Sequence, residues 1–347
     1  MNKLIILAAL FLAAALAPLA GKPAMVLVEG GLFSLWSDYE EETDEAYPIT
    51  IESFLMAERE VTVGEFRTFV KKAKYQTTAE LTGKCFGLGT RTDEYEEEEY
   101  YSPPSLEWDY YDAVNWQNPG YEQADDHPVA CLSWYDAISY CNWLSKQDKL
   151  KPVYKIDKNS HDPNNTNPND PQAWTVTWDT EANGYRLPTA AEWEFAARNR
   201  EEENVYPWGN EEEPGALGVI VANIADETYY DWYNDGESYL WSYAENYNDG
   251  YVFTAPVGSF APNPLGIYDL AGNVSEWVWN WDGDENYYNT VFPNNLTGPG
   301  SGDYRSQRGS AWCDFGDELM VQYERNLNEE YACYQYLGLR LVKNIGK

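Results

Sequence analysis

Between its few periodic segments the chain runs through long Gly-, Pro-, Asn- and Asp-rich stretches that carry regularly placed Trp and Tyr. A structureless loop of such length inside a domain ordinarily argues against an element assignment. Here 29 Tyr and 15 Trp supply amphipathic area that can pack loops down onto a core. The chain therefore demands a fold in which long ordered loops are part of the architecture.

Three helices announce themselves by capping boxes, in which a Ser or Thr caps the start and an acidic side chain three positions on reaches back. They begin at Thr62 with Glu65, at Ser133 with Asp136 and at Thr189 with Glu192. Each continues with apolar residues at helical spacing: Phe66, Phe69 and Val70; Ala137, Ile138, Cys141 and Leu144; Trp193, Ala196 and Ala197. Strands are short: Met25 to Val28, Tyr47 to Ile51 and a closing Leu339 to Val342. The stretches 95–118 and 155–178 read as surface insertions, and no periodic repeat is visible. The class is α+β.

A formal net charge of -35 excludes nucleic acid, whose phosphates demand a basic footprint, and makes anionic membrane surfaces poor partners. Self-repulsion of that size destabilises a compact state unless cations offset it, which directs attention to acidic clusters as metal sites. The run Glu96 to Glu99 reads only as a solvated surface. At the start, Lys3, the apolar run Leu4 to Ala17 and Pro18-Leu-Ala-Gly21 have the layout of a signal peptide over residues 1–21. The apolar run is too short for a comfortable membrane span. Export to the cell surface or periplasm is expected, without an integral membrane span. Lys22 stands where a lipid-anchored protein would have cysteine. The five cysteines are odd in number, and Cys141 falls on an apolar helix face as a core residue.

The tail has a distinctive layout. Arg308-Gly309 with Trp312 at one end and Leu337-Gly-Leu-Arg-Leu-Val342 at the other read as scaffold, bracketing a run crowded with Tyr, Asp, Asn and two cysteines.

Six motifs, in order along the chain, carry a resemblance. They are Met25-Val-Leu-Val-Glu-Gly-Gly-Leu-Phe33, Glu60-Val-Thr-Val-Gly-Glu-Phe66, His127-Pro-Val-Ala-Cys-Leu-Ser-Trp134, Tyr185-Arg-Leu-Pro-Thr-Ala-Ala-Glu-Trp-Glu-Phe-Ala-Ala-Arg198, Tyr206-Pro-Trp-Gly209 and Gly266-Ile-Tyr-Asp-Leu-Ala-Gly-Asn-Val-Ser-Glu-Trp277. Together they resemble the formylglycine-generating enzyme family, the sulfatase-modifying factors. The resemblance implies a single domain over 25–343 with a variant C-type lectin fold: short sheets and helices supporting extensive loops. Fold alone does not settle function. Enzymes of that family oxidise a substrate cysteine at copper(I) held by two cysteines near the C-terminus. At those positions this chain has Asp314 and Leu319, and Cys313 stands one place early. A hard carboxylate and an aliphatic group do not hold copper(I). A second branch, the iron-dependent sulfoxide synthases, relies on a histidine-rich triad, whereas only His127 and His161 occur here. The catalytic cysteine pair is absent and a non-enzyme is expected.

The frame Arg308-Gly-Ser-Ala-Trp312 and Gly338-Leu-Arg-Leu-Val342 is similar to that of variable proteins of diversity-generating retroelements, which display a hypervariable C-terminal patch on this fold. The resemblance implies a variable region over 308–342. Mutagenesis of adenines in AAC or AAT codons yields Tyr, Cys, Asp, Asn, Phe, Ala or Leu, but not Met, Glu or Gln. Cys313, Asp314, Phe315, Asp317, Tyr323, Asn326, Asn328, Tyr331, Ala332, Cys333, Tyr334 and Tyr336 fit the allowed set and are the expected ligand contacts. Met320, Gln322, Glu324, Glu329, Glu330 and Gln335 fall outside it and read as fixed. Tyr and Phe would give rigid apolar contact, and Asp and Asn a choice of hydrogen bonds.

The resemblance also implies structural calcium at two loops. One set is Asn223, the carbonyl of Ile224, Asp249 and the carbonyl of Tyr251; the other is Asp269, the carbonyls of Gly272 and Val274, and Glu276. Carboxylate, amide and main-chain oxygens suit that hard cation. From spacing alone, Asn248-Asp-Gly250 reads as a turn, and the plainer reading of Glu276 is a surface acid. The expected protein is an exported, non-catalytic display protein that binds a protein or cell-surface macromolecule through its tail. The alternatives are a copper-dependent formylglycine-generating oxidase and a structural subunit of an envelope complex.

Overall fold

Each of the three sequence-predicted caps starts a helix. Helix α1 (Val63–Ala73) is capped by Thr62 with Glu65. A second box, Thr77 with Glu80, starts the short α2 (Thr78–Thr82). Ser133 with Asp136 caps α3 (Trp134–Gln147), and Thr189 with Glu192 caps α4 (Ala190–Ala197). A fifth helix, α5 (Glu227–Asn234), follows later. The computed structural model describes residues 22–35, 47–90, 106–234, 242–282, 297–323 and 325–345. The expected signal peptide and Glu96 to Glu99 lie outside the described residues. No described helix is long and apolar enough to cross a membrane.

Two four-stranded sheets organise the chain. One runs in the order Met25–Val28, Phe54–Ala57, Val342–Asn344, Tyr185–Arg186, with antiparallel pairing throughout. The other runs Arg325–Asn328, Arg305–Arg308, Ser275–Trp281, Leu337–Gly338, the last pair parallel. The C-terminal segment thus contributes to both sheets, which explains why its ends read as scaffold. The expected continuous strand Leu339 to Val342 is divided into Leu337–Gly338 and Val342–Asn344. Between the two, Leu339 and Leu341 accept from Val61 and Ala57 main-chain N–H groups at 3.0 and 2.8 Å as the chain crosses from sheet to sheet.

Three hairpins lie outside these sheets: Gly31–Leu35 with Tyr47–Ile51, Lys84–Thr90 with Leu106–Asp112, and Tyr154–His161 with Trp174–Trp178. The latter two correct the reading of 95–118 and 155–178 as plain loops. The first contributes the strand Leu106–Asp112, and the second nearly the whole of both strands of its hairpin.

The main core gathers Phe66 and Phe69 from α1, Trp134, Ile138, Cys141 and Leu144 from α3, and Trp277, Trp312, Leu337, Leu339 and Leu341 from the sheet and tail. Aromatic rings fill it in edge and stacked contacts, as with Phe66 against Phe69, Trp116 and Tyr140 at 5.2 to 5.7 Å. Such pairs add about 1 kcal/mol each beyond the area they bury. A second cluster packs α4 against the first sheet through Trp193, Phe195, Val28 and Met56.

Candidate functional site: the C-terminal surface and the cation loops

The frame residues of the tail are locked by buried polar contacts. The Arg340 guanidinium is fully buried and donates to both oxygens of Glu276 at 2.8 and 3.0 Å and to the Tyr268 carbonyl at 2.8 Å. Arg308 donates to the Gln322 carbonyl at 2.6 Å. Several residues read as fixed hold the segment down. Glu330 accepts from Tyr135 at 2.6 Å, Arg305 at 2.8 Å and Asn165 at 2.9 Å. Gln335 accepts from the Leu88 N–H at 2.8 Å, tying the tail to the Lys84–Asp112 hairpin. Removing one partner from such a network leaves buried groups unpaired, which costs roughly 1–3 kcal/mol per neutral group. Glu324 lies outside the described residues.

The expected contact positions divide. Asp317 is exposed, and Cys313, Phe315, Tyr323 and Tyr331 are half-buried at the surface. Asp314, Ala332, Cys333, Tyr334 and Tyr336, also expected as ligand contacts, are buried. Asp314 is held by local structure: its Oδ2 accepts from the Ala311 N–H at 2.8 Å and its carbonyl from the Ala225 N–H at 2.9 Å. Tyr334 and Tyr336 are covered by the hairpin insertion, where Phe86 meets Tyr334 at 5.5 Å and Trp108 meets Tyr336 at 5.7 Å. Trp108, 37% exposed, also stacks on the fully buried Trp312 at 6.0 Å. Cys333 enters an apolar cluster with Cys85 and Cys131. Asn326 and Asn328 sit on the edge strand Arg325–Asn328, their side chains outside the described residues.

Phe315, Gly316 and Leu319 of the tail line a cleft of about 530 Å³ together with Tyr243 and the carboxylates Glu212, Glu213 and Glu245. The sequence pointed to Phe315 but to none of the lining residues from outside the tail. They come from separate loops, and nothing in their local pattern marks them.

The two cation loops meet. Asn223 forms an isolated parallel bridge with Gly272, and its carbonyl accepts from the Asn273 N–H at 2.8 Å. Gly272 has φ +74, and a Cβ there would stand 1.9 Å from the Asn223 oxygen, so glycine is required. In the first set, Asp249 accepts from Ile224 and Tyr251 N–H groups at 2.9 and 2.8 Å. Burial, reinforced by neighbouring Asp226, pushes its carboxyl up to about 7. Asp226, which sequence reasoning did not single out, accepts from the Asp249 N–H at 2.5 Å. Its one signal was position, three residues after Asn223.

In the second set, burial raises Asp269 to about 6, and Glu60, pushed up by burial and by Asp269, joins it and Glu276 around Arg340. Both oxygens of Glu276 are engaged, by Arg340 and by Trp193 Nε1 at 2.8 Å. It is therefore a buried ion-pair partner, not the surface acid that spacing alone allowed. The residues fit a hard cation in one telling respect: Asn223 Oδ1 is buried without a hydrogen-bond partner. Orphaned acceptors of this kind are rare and call for an explanation. Among the described residues no three His, Cys, Asp or Glu side chains converge to hold a metal. A cation here would depend on amide and main-chain oxygens.

Comparison with known proteins places this arrangement. Over 169 residues the chain is 43% identical to chaperone protein LppX of Paenibacillus barcinonensis, covering 47% of this chain and 55% of that one. It is 27% identical to the formylglycine-generating enzyme of Mus musculus, covering 83% and 66% respectively. It is 29% identical to the inactive C-alpha-formylglycine-generating enzyme 2 of Mus musculus, covering 86% and 77%. The chain thus spans about half to two thirds of the length of the first two relatives. Among solved structures, Treponema denticola variable protein 1 superposes with a TM-score of 0.61 at 23% identity, over 92% of this chain and 95% of that one. This likeness establishes the fold. The family described as the sulfatase-modifying factor enzyme 1-like domain matches residues 13–345. On that match across nearly its whole length, the chain belongs to the sulfatase-modifying factor (formylglycine-generating enzyme) family.

Proposed function

We propose that this protein is an exported, non-catalytic member of the family that uses its tail to bind a protein or cell-surface macromolecule. The observation that carries the reading is the division within the tail. Arg308, Glu330, Gln335 and Arg340 are committed to buried hydrogen bonds, while Phe315, Asp317, Tyr323 and Tyr331 reach the surface, Phe315 on the wall of the cleft. Such a segment can change its outward side chains without losing its backbone. Half-buried Tyr and Phe offer rigid contact area at small entropic cost. The oxidase alternative lacks its ligands, because Asp314 and Leu319 occupy the thiol positions and both are buried among other contacts. Calcium at the Asn223 and Asp269 loops would fasten the platform, neutralising carboxylates that burial disfavours.

The test compares the protein with a Phe315→Ala, Tyr323→Ala, Tyr331→Ala triple variant, using each to capture partners from surface extracts of host and neighbouring cells. A partner retained by the parent and lost by the variant, with Tm unchanged, is the expected result. An identical set of captured proteins overturns the assignment of the tail as the binding surface.

A further inference from the structure

The cleft beside the tail is lined by negative charge and by aromatic rings together. Glu212, Glu213 and Glu245 line it with Tyr243 and Phe315, and no Lys, Arg or His is among its walls. From Glu201 to Tyr304 the sequence itself holds no basic residue. The arginines that bracket this stretch are already paired: Arg200 with Glu29 at 3.2 Å, and Arg305 with Glu330 at 2.8 Å. Among the described residues none of the three glutamates has an ion-pair partner. Asp317, exposed on the Gly316–Leu319 turn of the tail, adds to the negative field. The walls are held in place. The Tyr243 ring stacks on Tyr230 of α5 at 4.2 Å, and the Ala244 N–H donates to the Ala225 carbonyl at 2.8 Å. Gly215 lies so close to the next wall that a Cβ there would stand 2.6 Å from the Asn246 oxygen. Leu319 packs with Tyr206, Ile224 and Tyr247. The cleft is therefore preformed, and a ligand entering it has little to order.

At about 530 Å³ the cleft is far larger than one metal ion needs and lies within the roughly 300–1,000 Å³ of sites that enclose organic ligands. We propose that it receives a basic segment of the partner protein, with a Lys or Arg side chain set between the three glutamates and the rings of Tyr243 and Phe315. Such a group satisfies both wall chemistries at once. Its charge meets the carboxylates, its stem or planar face lies on the rings, and a cation over an aromatic face is attracted by the ring itself. A calcium ion would meet the carboxylates and leave the rings unused. An apolar segment would do the reverse and leave three like charges facing it. Attraction toward a chain of net charge -35 also speeds encounter with a basic partner. The inference rests on the reading of the tail as the binding surface and names the chemistry of what it binds.

The probe is a fluorescein-labelled peptide of alternating arginine and glycine, titrated by fluorescence anisotropy at physiological salt. The parent is compared with a Glu212→Gln, Glu213→Gln, Glu245→Gln variant. A control of equal charge, Glu52→Gln, Glu202→Gln, Glu203→Gln, changes exposed positions absent from the cleft. Kd is expected to rise about tenfold in the cleft variant, less than about twofold in the control and about threefold in Tyr243→Leu. If the triple variant unfolds, Glu245→Gln against Glu202→Gln repeats the comparison, with about threefold weakening expected for the first alone. A parent that does not bind the peptide overturns the inference. Equal weakening by cleft and control substitutions does so too, because only net charge is then read. Calcium bound by the parent in calorimetry and lost in the cleft variant, with peptide binding unaffected, overturns it in favour of a metal site. A surface partner lost on the Phe315→Ala, Tyr323→Ala, Tyr331→Ala variant but retained by the cleft variant leaves the tail as the binding surface and removes the basic segment from it.

Discussion

At the scale of single residues, the buried carboxylates are the most exacting feature. Burial pushes the carboxyls of Asp249 and Asp269 up to about 7 and about 6 in the folded chain, against about 3.9 in an unfolded one. A raised carboxyl pKa means the folded state holds its proton more tightly. The stabilisation is therefore full below about pH 4 and is lost as pH rises through about 7. Chelated protein should lose stability steadily across that window in urea titrations. Calcium should flatten the profile, and Asp249→Asn should remove part of the slope without added metal. A profile indifferent to both calcium and the substitution would remove the cation loops from the account. Which residues the tail fixes was readable in part: Glu330 and Gln335, excluded by the codon argument, are the ones committed to buried partners. The orientation of Tyr334 and Tyr336 was not readable. A codon rule reports which residues mutagenesis can reach, and it is silent on which of them an inserted hairpin covers.

At the scale of elements, capping boxes were legible because they are local: donor and acceptor lie three residues apart in sequence. The cap of α3 extends further than its box. Asp136 also accepts from the Tyr75 hydroxyl at 2.9 Å and from the Thr78 N–H at 3.2 Å, while Ser133 Oγ lies 2.8 Å from Thr78 Oγ. One carboxylate thus fastens α2 to α3. Asp136→Ala should cost roughly 3 kcal/mol, more than an isolated cap at about 1, because three buried donors lose their partner. Urea denaturation measures it, and a loss below about 1 kcal/mol would reduce Asp136 to an ordinary cap. The hairpins escaped sequence reading because their pairing is long-range. In Tyr154–His161 with Trp174–Trp178, only Tyr154 and Val176 are buried, too few to mark an alternation amid Asn, Asp and Pro.

At the scale of the whole molecule, the resemblance rather than the composition disclosed the fold. Aromatic content foretold packed loops and charge argued against a nucleic-acid partner, but neither ordered the strands. What the assembled chain adds is a tail shared by both sheets, in which Glu330, Gln335 and Arg340 are committed to buried partners while Phe315, Asp317, Tyr323 and Tyr331 reach the surface. The most direct test needs no partner. Each tail position is substituted with the full range of residues, and folding is read by protease resistance. Phe315, Asp317, Tyr323 and Tyr331 are predicted to accept most substitutions within about 0.5 kcal/mol, whereas Glu330, Tyr334, Gln335, Tyr336 and Arg340 accept few. Equal tolerance across the two groups, or intolerance concentrated in the first, would contradict a fixed platform with a variable surface.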